Sequence, residues 1–300
     1  MPPLLGARNL TRLFGPIVAL HDVTLDISEG TTGLLGANGA GKSTLMNVFL
    51  GLLPPTAGRV EMLGNPGGDS VSARARIGFS PEYDCLPPAV SAAEFVTHMA
   101  RVSGLPRAEA RVRATDVLRH VGLGEERYRP MGTYSTGMAQ RAKLAQAIVH
   151  DPVLVLLDEP TAGLDPLGRE EMLQLITKTG REFGISMLIS SHLMGDIERT
   201  CDRIVVLEAG KVIEEGDVSG FTTETETLVI QVDEGLDELR RELHKRGVLA
   251  ALDGTSLVVE GADDSVYDQV RDAVVESNAL LHRMGPRTHT LTDIFRKPRT

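Results

Sequence analysis

The sequence predicts an α/β fold with a parallel sheet, and three patterns along the chain carry that prediction. A short buried strand at residues 31–36 enters a glycine-rich turn and is followed by a helical pattern. A wholly apolar run at residues 153–157 has the composition of a central parallel strand. Two more strand patterns follow at residues 185–191 and 203–216, and the second is expected to turn back at Gly210. Because strands and helices alternate in this order, we expect a sheet covered by helices.

The glycine-rich turn at residues 36–44 reads GANGAGKST and fits the phosphate-binding pattern G-x-x-x-x-G-K-[ST]. Its glycines would let backbone N–H groups converge on phosphate oxygens, and the start of the following helix would add partial positive charge. Lys42 is expected to contact the β- and γ-phosphates of a nucleotide, and the Ser43 hydroxyl to ligate Mg²⁺. A purely structural turn is the alternative, but the flanking strand and helix favour nucleotide binding. The predicted binding residues are Gly36, Asn38, Gly39, Gly41, Lys42, Ser43 and Thr44.

The helix after this turn carries a stripe of apolar side chains that continues as far as Leu53. Pro54 and Pro55 follow directly, and a proline lacks the N–H group that would continue a helix. We therefore expect this helix to end at Leu53.

Residues 88–150 interrupt the alternation of strands and helices. Three helical patterns occur there, at residues 91–105, 107–123 and 137–150, and no strand pattern separates them. We interpret the whole segment as a helical insertion in the α/β fold.

The character of the sequence changes near residue 220. Residues 222–227 read TTETET, a polar stretch that we interpret as a linker. The patterns after it indicate the βαββαβ order of a small ferredoxin-like domain. We therefore predict two domains, residues 1–220 and residues 221–300, and find no group of chemically reactive side chains in the second.

Two acids and a histidine come directly after predicted strands. Asp158 and Glu159 follow the apolar run, and a carboxylate there, beside a phosphate-binding loop, is expected to contact Mg²⁺; we assign Asp158 that role. Glu159 would then be the general base that polarises the attacking water, unless it is simply an exposed acid. His192 would hydrogen-bond the γ-phosphate at the ligand-binding end of the sheet, although a structural or solvated histidine is equally consistent with the sequence.

One stretch has no ligand-binding partner nearby in the sequence. Residues 134–138 read YSTGM and precede a helical pattern from about Gly137 to His150. Ser135 offers a hydroxyl group, and Gly137 offers an unhindered N–H at the positive end of that helix. Taken alone, the stretch is an ordinary serine or threonine N-cap.

Five motifs now stand in a defined order: GANGAGKST, YSTGM, VLVLLDEP, AGLD and SSH. In this order and spacing they resemble those of the ATP-binding subunit of ABC transporters, over about residues 4–220. The resemblance implies a P-loop NTPase (RecA-like) ABC ATPase core with an inserted helical subdomain, plus a small α+β ferredoxin-like C-terminal domain. The C-terminal residues and the single nucleotide-binding domain are more similar to the ATPases of ABC-2-type bacterial exporters, such as drug-efflux ATPases.

The resemblance also implies where the ligand of YSTGM lies. In the family two ATPase subunits pair head to tail, and each ATP lies between the P-loop of one and the YSTGM helix of the other. Ser135 and Gly137 would therefore bind an ATP held by a second subunit, which we expect to be a second copy of this chain. Asp165 in AGLD would link the two sites across the dimer.

Two further positions take roles from the same resemblance. Phe14 would stack on the adenine ring, with a core phenylalanine as the alternative. Glu82 stands where the family usually has a glutamine that senses Mg²⁺ and the attacking water, so an oxygen ligand is kept and negative charge is added. The segment from Glu82 to Phe95 would carry the loop that contacts the membrane subunit.

The signature stretch also departs from the family pattern, because Thr136 and Met138 replace a glycine and a glutamine. Neither change removes the residues expected to carry the reaction. We therefore expect a hydrolysis-competent ATPase. Its predicted catalytic residues are Glu159, His192 and Glu82, and its predicted metal contacts are Ser43, Glu82 and Asp158.

Composition limits the partners of the chain. The 300 residues carry a net charge of −10, which disfavours nucleic acid because nucleic-acid binding needs a basic surface. No signal pattern and no apolar window of about 18 residues is present, so no segment is expected to span a bilayer. We expect ATP and Mg²⁺ as ligands, a second ATPase subunit and an integral membrane permease as partners, export as the process, and a peripheral position on the cytoplasmic face of the cell membrane. A non-transport ABC ATPase and a regulatory module that binds ATP without turnover are the alternatives.

Overall fold

A computed structural model describes residues 3–66, 70–221, 224–253, 256–261, 264–277 and 279–288. The chain forms two compact units, Met1–Val218 and Ser219–Thr300. Each unit has a buried apolar cluster of its own. Within the described ranges, no helix is both long enough and apolar enough to cross a membrane.

The first unit begins with a four-stranded antiparallel sheet. Its strands are β1 (Leu5–Phe14), β2 (Ile17–Ile27), β4 (Ala57–Met62) and β5 (Asn65–Pro66), in the spatial order β2-β1-β4-β5. The register between β1 and β2 shifts at three places. Because such irregularities break the period-two alternation of buried side chains, β1 gives no clear strand pattern in the sequence.

A second, six-stranded sheet confirms the predicted α/β fold. Its strands are β3 (Thr31–Leu35), β6 (Ile77–Ser80), β7 (Leu154–Asp158), β8 (Ser186–Ser191), β9 (Arg203–Glu208) and β10 (Lys211–Asp217), in the spatial order β10-β9-β3-β8-β7-β6. All neighbours in it are parallel except β9 and β10. Since parallel strands end at the same edge, the residues that follow β3, β6, β7 and β8 lie along one edge of the sheet.

The predicted hairpin at Gly210 is confirmed. The strands β9 and β10 pair antiparallel, with Glu208 opposite Lys211. The two residues between them, Ala209 and Gly210, both have positive φ values, 47° and 76°. This is the combination that a tight two-residue hairpin turn of the favoured twist requires.

Eight α-helices lie between residues 42 and 221 in the described part of the chain. They are α1 (Lys42–Phe49), α2 (Val71–Arg74), α3 (Ala92–Val102), α4 (Arg107–His120), α5 (Thr136–Ile148), α6 (Pro166–Phe183), α7 (Met194–Thr200) and α8 (Val218–Phe221). The helices α3, α4 and α5 lie between β6 and β7 in the chain, and the described residues form no named strand between them. A capping box starts α3, because Ser91 accepts the N–H of Glu94 while the Glu94 carboxylate accepts the N–H of Ser91.

The expected end of α1 at Leu53 was wrong by four residues. The helix ends at Phe49, and Gly51 adopts a φ of 70° just beyond it. The N–H of Leu52 donates to Asn47 O at 2.9 Å, and the N–H of Gly51 donates to Val48 O at 3.0 Å. These two bonds form a glycine-terminated Schellman cap, so the glycine ends the helix before the prolines are reached.

The core of the first unit includes side chains of α1 and of the strands β3, β7 and β8. Fully buried side chains from β3, α1, β7 and β8 fill it, and burial of each contributes roughly 1.5–3 kcal/mol. They include Leu34, Leu45, Phe49, Leu156 and Leu188. This packing fixes the helix start that follows the glycine-rich turn relative to the ends of β7 and β8.

The second unit has the element order strand, helix, two strands, helix, strand. Its elements are β11 (Glu224–Glu234), α9 (Leu236–Lys245), β12 (Ala250–Asp253), β13 (Ser256–Val259), α10 (Asp264–Ser277) and β14 (Leu280–Thr288). The four strands form an antiparallel sheet in the spatial order β12-β13-β11-β14. The linker expected at residues 222–227 was placed too late, because residues 224–227 already belong to β11; residues 222 and 223 lie outside the described residues.

Candidate functional site

The glycine-rich turn between β3 and α1 ends at Gly41, in a backbone conformation that only glycine adopts without strain. Gly41 has a φ of 108°, and a Cβ there would lie 2.7 Å from Ala19 O. The helix then begins at Lys42, so the N–H groups of its first turn have no partner within the helix. A loop of this kind at a helix start is suited to bind phosphate oxygens.

Lys42 turns back over this loop and is 6 % exposed. Its Nζ donates to Gly36 O at 2.7 Å. The same Nζ lies 3.1 Å from Oε1 of Glu159, an ion pair without hydrogen-bond geometry. A phosphate oxygen of a bound nucleotide would replace Gly36 O and Glu159 Oε1 as the partner of the Lys42 ammonium group.

Ser190, which the sequence interpretation missed, holds the two acids at the end of β7. The Ser190 hydroxyl donates to Asp158 Oδ1 at 2.6 Å and accepts the N–H of Glu159 at 2.8 Å. Asp158 and Ser190 are directly paired in the parallel register of β7 and β8. Ser190 lay inside a predicted strand, but which strand would lie beside it was not visible in the sequence.

Glu159 joins the predicted residues of this edge into one cluster. His192 Nδ1 donates to Glu159 Oε2 at 2.8 Å, while Oε1 faces Lys42. Glu159 is 5 % exposed and has a φ of 47°, an uncommon conformation for a residue other than glycine. The structure therefore brings Lys42, Asp158, Glu159 and His192 together, as the sequence predicted, and Glu159 is not the exposed acid of the alternative interpretation.

Glu82 is placed near this cluster only by its position in the sheet. It follows the end of β6 by two residues, and β6 is the neighbour of β7. The side chain is exposed, and its carboxylate has no hydrogen bond or ion pair within the described part of the chain. Its backbone oxygen accepts a hydrogen bond from Lys143 Nζ at 3.0 Å. A contact between the Glu82 carboxylate and a metal stays a prediction.

The YSTGM stretch forms the start of α5, one residue earlier than expected. Ser135 is the N-cap, and its Oγ accepts the N–H of Met138 at 3.3 Å. Ser135 and Thr136 are exposed, and a Cβ on Gly137 would meet only Leu164, at 3.8 Å. The capping alternative is therefore correct locally, and it leaves the N-terminal end of α5 open to a ligand.

Asp165 is also an N-cap. Its Oδ1 accepts the N–H of Gly168 at 2.9 Å at the start of α6, and its side chain is exposed. The structure thus places Ser135 and Asp165 at two helix starts, and within the described residues no polar contact links either side chain to the Glu159 cluster.

Phe14 ends β1 and is 41 % exposed, so the alternative of a core phenylalanine was wrong. The guanidinium carbon of Arg12 lies 4.6 Å from the centroid of the Phe14 ring. Arg12 is held in turn by a 2.8 Å hydrogen bond from Nη1 to Pro54 O. One face of the ring is therefore covered by a cation, and the ring remains partly open to solvent.

Three polar side chains on one face of α5 were missed by the sequence interpretation. Their side-chain nitrogen atoms donate to backbone oxygens of other segments: Gln140 Nε2 to Ala162 O at 3.3 Å, Lys143 Nζ to Glu82 O at 3.0 Å and Gln146 Nε2 to Phe79 O at 2.5 Å. Their regular spacing of three residues along the helix was the available signal. Burial lowers the pKa of Lys143, and the nearby Cys85, Asp84, Asp158 and Glu82 oppose that shift.

The residues at the end of β7 fit a magnesium ion. Asp158 uses one carboxylate oxygen to accept from Ser190, which leaves the other for a ligand, and Ser43 offers a hydroxyl in the first turn of α1. The described residues contain no group of three or more histidine, cysteine or acidic side chains suited to a metal. Magnesium is usually held by one or two carboxylates together with substrate phosphates, so this small oxygen set suits it.

Comparison with known proteins gives one consistent result. The sequence model of the family described as ABC transporter matches residues 20–162. An uncharacterized ABC transporter ATP-binding protein, YxlF of Bacillus subtilis (strain 168), is 30 % identical over 98 % of this chain and 99 % of its own length. The linearmycin resistance ATP-binding protein LnrL of the same strain is 34 % identical over 70 % of this chain and 68 % of its own length.

The fold is also similar to solved structures. One is a dimeric, post-hydrolysis state of the ATP-binding cassette MJ0796 bound to ADP and phosphate. It is 28 % identical, has a TM-score of 0.66, and the match covers 72 % of this chain and 100 % of that one.

Proposed function

The chain belongs to the ATP-binding proteins of ABC transporters and is an ATPase of that family, and we propose that it powers a separate integral membrane permease. The observation that carries the proposal is the buried Glu159 carboxylate, which lies between Lys42 at 3.1 Å and His192 at 2.8 Å. A general base has to be held in place at the phosphate-binding end of the sheet, and these contacts hold it there.

We assign the residues of the cluster to steps of ATP hydrolysis. The loop at residues 36–44, together with Lys42, binds the phosphates. A phosphate oxygen of ATP replaces Gly36 O and Glu159 Oε1 as the partner of the Lys42 ammonium group. Glu159 Oε1 is then free to accept a proton from the attacking water, while His192 keeps the carboxylate oriented through Oε2. Ser43, Asp158 and Glu82 would hold Mg²⁺, which supplies charge neutralisation to the phosphates.

The open start of α5 supports a head-to-tail dimer of two such chains. Ser135, Thr136 and Gly137 present a hydroxyl group and backbone N–H groups at the positive end of a 13-residue helix. We assign this end to the γ-phosphate of an ATP bound by the second subunit. Asp165, exposed at the start of α6, would then lie where the two sites communicate. The MJ0796 cassette, which is similar in fold, is described as a dimer.

We assign the ATPase function to residues 1–220, with residues 88–150 as an inserted helical subdomain. For residues 221–300 we propose a ferredoxin-like accessory domain, supported by the βαββαβ order and the antiparallel sheet order β12-β13-β11-β14. A chain ending at Gly220 should therefore fold and bind ATP. An insoluble or nucleotide-blind product would show that the two parts depend on each other.

We propose export as the process and the cytoplasmic face of the membrane as the location. The relative named for linearmycin resistance favours export, because export of a toxic compound would confer resistance to it. The segment from Glu82 to Phe95 is our proposed contact with the permease. Tyr83 in it is 69 % exposed, and a large exposed apolar ring suits a protein interface.

The test is recovery of the permease from gently solubilised native membranes with a tagged chain. Tyr83→Asp should lower the yield of one multispanning membrane protein, whereas Val71→Asp, a change at an equally exposed apolar site on α2, should not. Both variants should hydrolyse ATP when isolated. Recovery of no membrane protein, or equal recovery with all three chains, would argue against the proposed partner or its contact segment.

A further inference from the structure

Lys143 is buried in the middle of α5 although the mechanism above gives it no task. The residue is 3 % exposed, and lysine is almost never this buried without a partner. Its Nζ donates to the backbone oxygen of Glu82 at 3.0 Å, just after the end of β6. The amine therefore fixes the backbone of the residue that we assign to Mg²⁺ and the attacking water.

The contact belongs to a row of three on the same helix face. Gln140 holds Ala162 O in the loop after Glu159, and Gln146 holds Phe79 O inside β6. Lys143 is the member of the row that reaches beyond the end of the strand to Glu82. The backbone of Glu82 has left the sheet at this point, so its position depends on such a contact more than that of Phe79 does.

Ser135, the N-cap of the same helix, lies eight residues before Lys143 in the chain. At a rise of about 1.5 Å per residue, the two points are roughly 12 Å apart along a continuous helix. A continuous, hydrogen-bonded helix moves as one body, so a displacement of its first turn is passed on to Lys143. Capture of a phosphate at Ser135 would therefore move the Glu82 backbone as well.

We infer that Lys143 is a positioning residue that ties the Glu82 segment to the YSTGM helix. Binding of the partner subunit's ATP at Ser135 then sets where Glu82 stands at the ATP of its own chain. This inference rests on the proposed head-to-tail dimer. It adds a physical link, inside one chain, between the two ATP sites that the dimer contains.

The test separates assembly of the dimer from turnover. Lys143→Met removes the donor and the charge but keeps an unbranched apolar stem that is only one heavy atom shorter. We expect ATP hydrolysis to fall about 10- to 100-fold in kcat, the usual cost of misplacing a group next to the reacting atoms, with KM for ATP little changed. In a chain that also carries Glu159→Gln, ATP should still drive dimer formation, measured by gel filtration, because the P-loop and Ser135 are intact.

Two variants show whether the effect belongs to Lys143. Lys143→Arg keeps a cationic donor and should restore most of the lost turnover. Gln146→Leu removes the neighbouring contact, whose acceptor lies inside β6, and should lower the melting temperature while leaving kcat near that of the parent.

Each outcome decides the inference. Parental turnover in Lys143→Met, equal loss in Gln146→Leu, or a folded Lys143→Arg as slow as Lys143→Met would overturn it. So would loss of the ATP-driven dimer in Lys143→Met with Glu159→Gln, since the role would then be general support of α5. If Glu159→Gln alone forms no dimer with ATP, the proposed head-to-tail dimer is wrong, and the inference about Lys143, which depends on it, is wrong as well.

Discussion

The two halves of the proposed ATP site differ in how much they rely on their own chain. At the ends of β7 and β8, Glu159 has a local partner for its N–H and for both carboxylate oxygens. At the start of α5, the Ser135 hydroxyl accepts one N–H of its own helix, and the described residues place no other polar group on it. The first half is buried, and the polar groups of Glu159 have partners within the same chain. The second half is exposed, and its only polar contact within the described chain is that of a helix cap.

This difference shows what burial can and cannot reveal about a site. A residue that acts on the ATP of its own chain is held by contacts that a single structure displays. Glu159 even keeps a φ of 47°, a strain of about 1–3 kcal/mol that those contacts sustain. A residue that acts on the ATP of another subunit is indistinguishable from a surface cap until the second subunit is present.

The largest effect is expected in the buried half. Glu159→Gln should keep nucleotide binding and lower ATP hydrolysis by about 10²–10⁴-fold, because a general base contributes that much. The variant should also accumulate as an ATP-bound dimer, since binding is intact and turnover is blocked. Phosphate release and gel filtration with ATP measure the two properties.

Glu29→Gln is the matched control for this variant. Glu29 is an exposed acid just before β3, at the opposite edge of the sheet from the cluster. The Glu29→Gln variant should hydrolyse ATP at the parental rate. Parental hydrolysis by Glu159→Gln would remove Glu159 from the role of base.

The second prediction tests whether the open half serves another chain. Lys42→Ala should weaken ATP binding at its own site, and Ser135→Arg should block the site of its partner. Homodimers of either variant have two broken sites. In a mixed dimer both lesions fall on one interface, and the other interface is whole. Each lost charge-assisted hydrogen bond costs about 1.5–3 kcal/mol, so mixing should recover activity by about 10- to 10³-fold.

Crosslinking of differently tagged chains confirms that mixed dimers form. If they form and stay as inactive as either parent, either one site cannot act alone or Ser135 acts within its own chain. A double variant that carries both lesions, paired with the parental chain, separates these results. Activity in that pair, without activity in the mixed single variants, would show action within one chain.

The features of this site that the sequence predicts well depend on residues close together in the chain. The glycine-rich turn, the N-cap Ser135 and the acids after residues 153–157 are defined by neighbours in the chain, and the structure has each of these features where expected. Ser190 and Lys143 were missed because their partners are 32 and 61 residues away. Strand order and helix packing decide such contacts, and neither leaves a periodic pattern in one sequence.

The end of α1 was missed for a different reason. Gly51 is visible in the sequence and is a recognised signal for the end of a helix. The prolines that follow gave a second stop signal, which begins three residues later at Pro54, and the apolar stripe favoured it. In this helix the two stop signals compete, and Gly51, which adopts a φ of 70°, ends it before the prolines are reached.

A smaller effect is expected at Phe14, which belongs to neither half. Phe14→Ala should weaken ATP binding by roughly 5- to 150-fold, because stacking of a base on an aromatic ring is worth about 1–3 kcal/mol. Phe14→Tyr keeps the ring and should bind ATP nearly as tightly as the parent. Equilibrium binding of ATP and of inorganic triphosphate distinguishes the causes, since only ATP has a base to stack. An equal loss for both ligands would mean that Phe14 supports the strand end and not the adenine.

The smallest effect is expected at Glu82, an exposed residue whose carboxylate has no partner in the described part of the chain. Glu82→Gln should remain active, because either side chain offers an oxygen to Mg²⁺ or to its water. The charged side chain should bind the metal more tightly. Since Glu82 is exposed, solvent screens its charge. The difference in Mg²⁺ binding free energy between the two side chains should therefore stay near 1 kcal/mol or below. This corresponds to a rise of about 5-fold in the Mg²⁺ concentration for half-maximal hydrolysis. Glu109→Gln, at an exposed acid in the first turn of α4, should show no such rise. Equal Mg²⁺ dependence in Glu82→Gln and the parent would remove the carboxylate from the surroundings of the metal, and Glu82 would then matter only through the backbone oxygen that Lys143 holds.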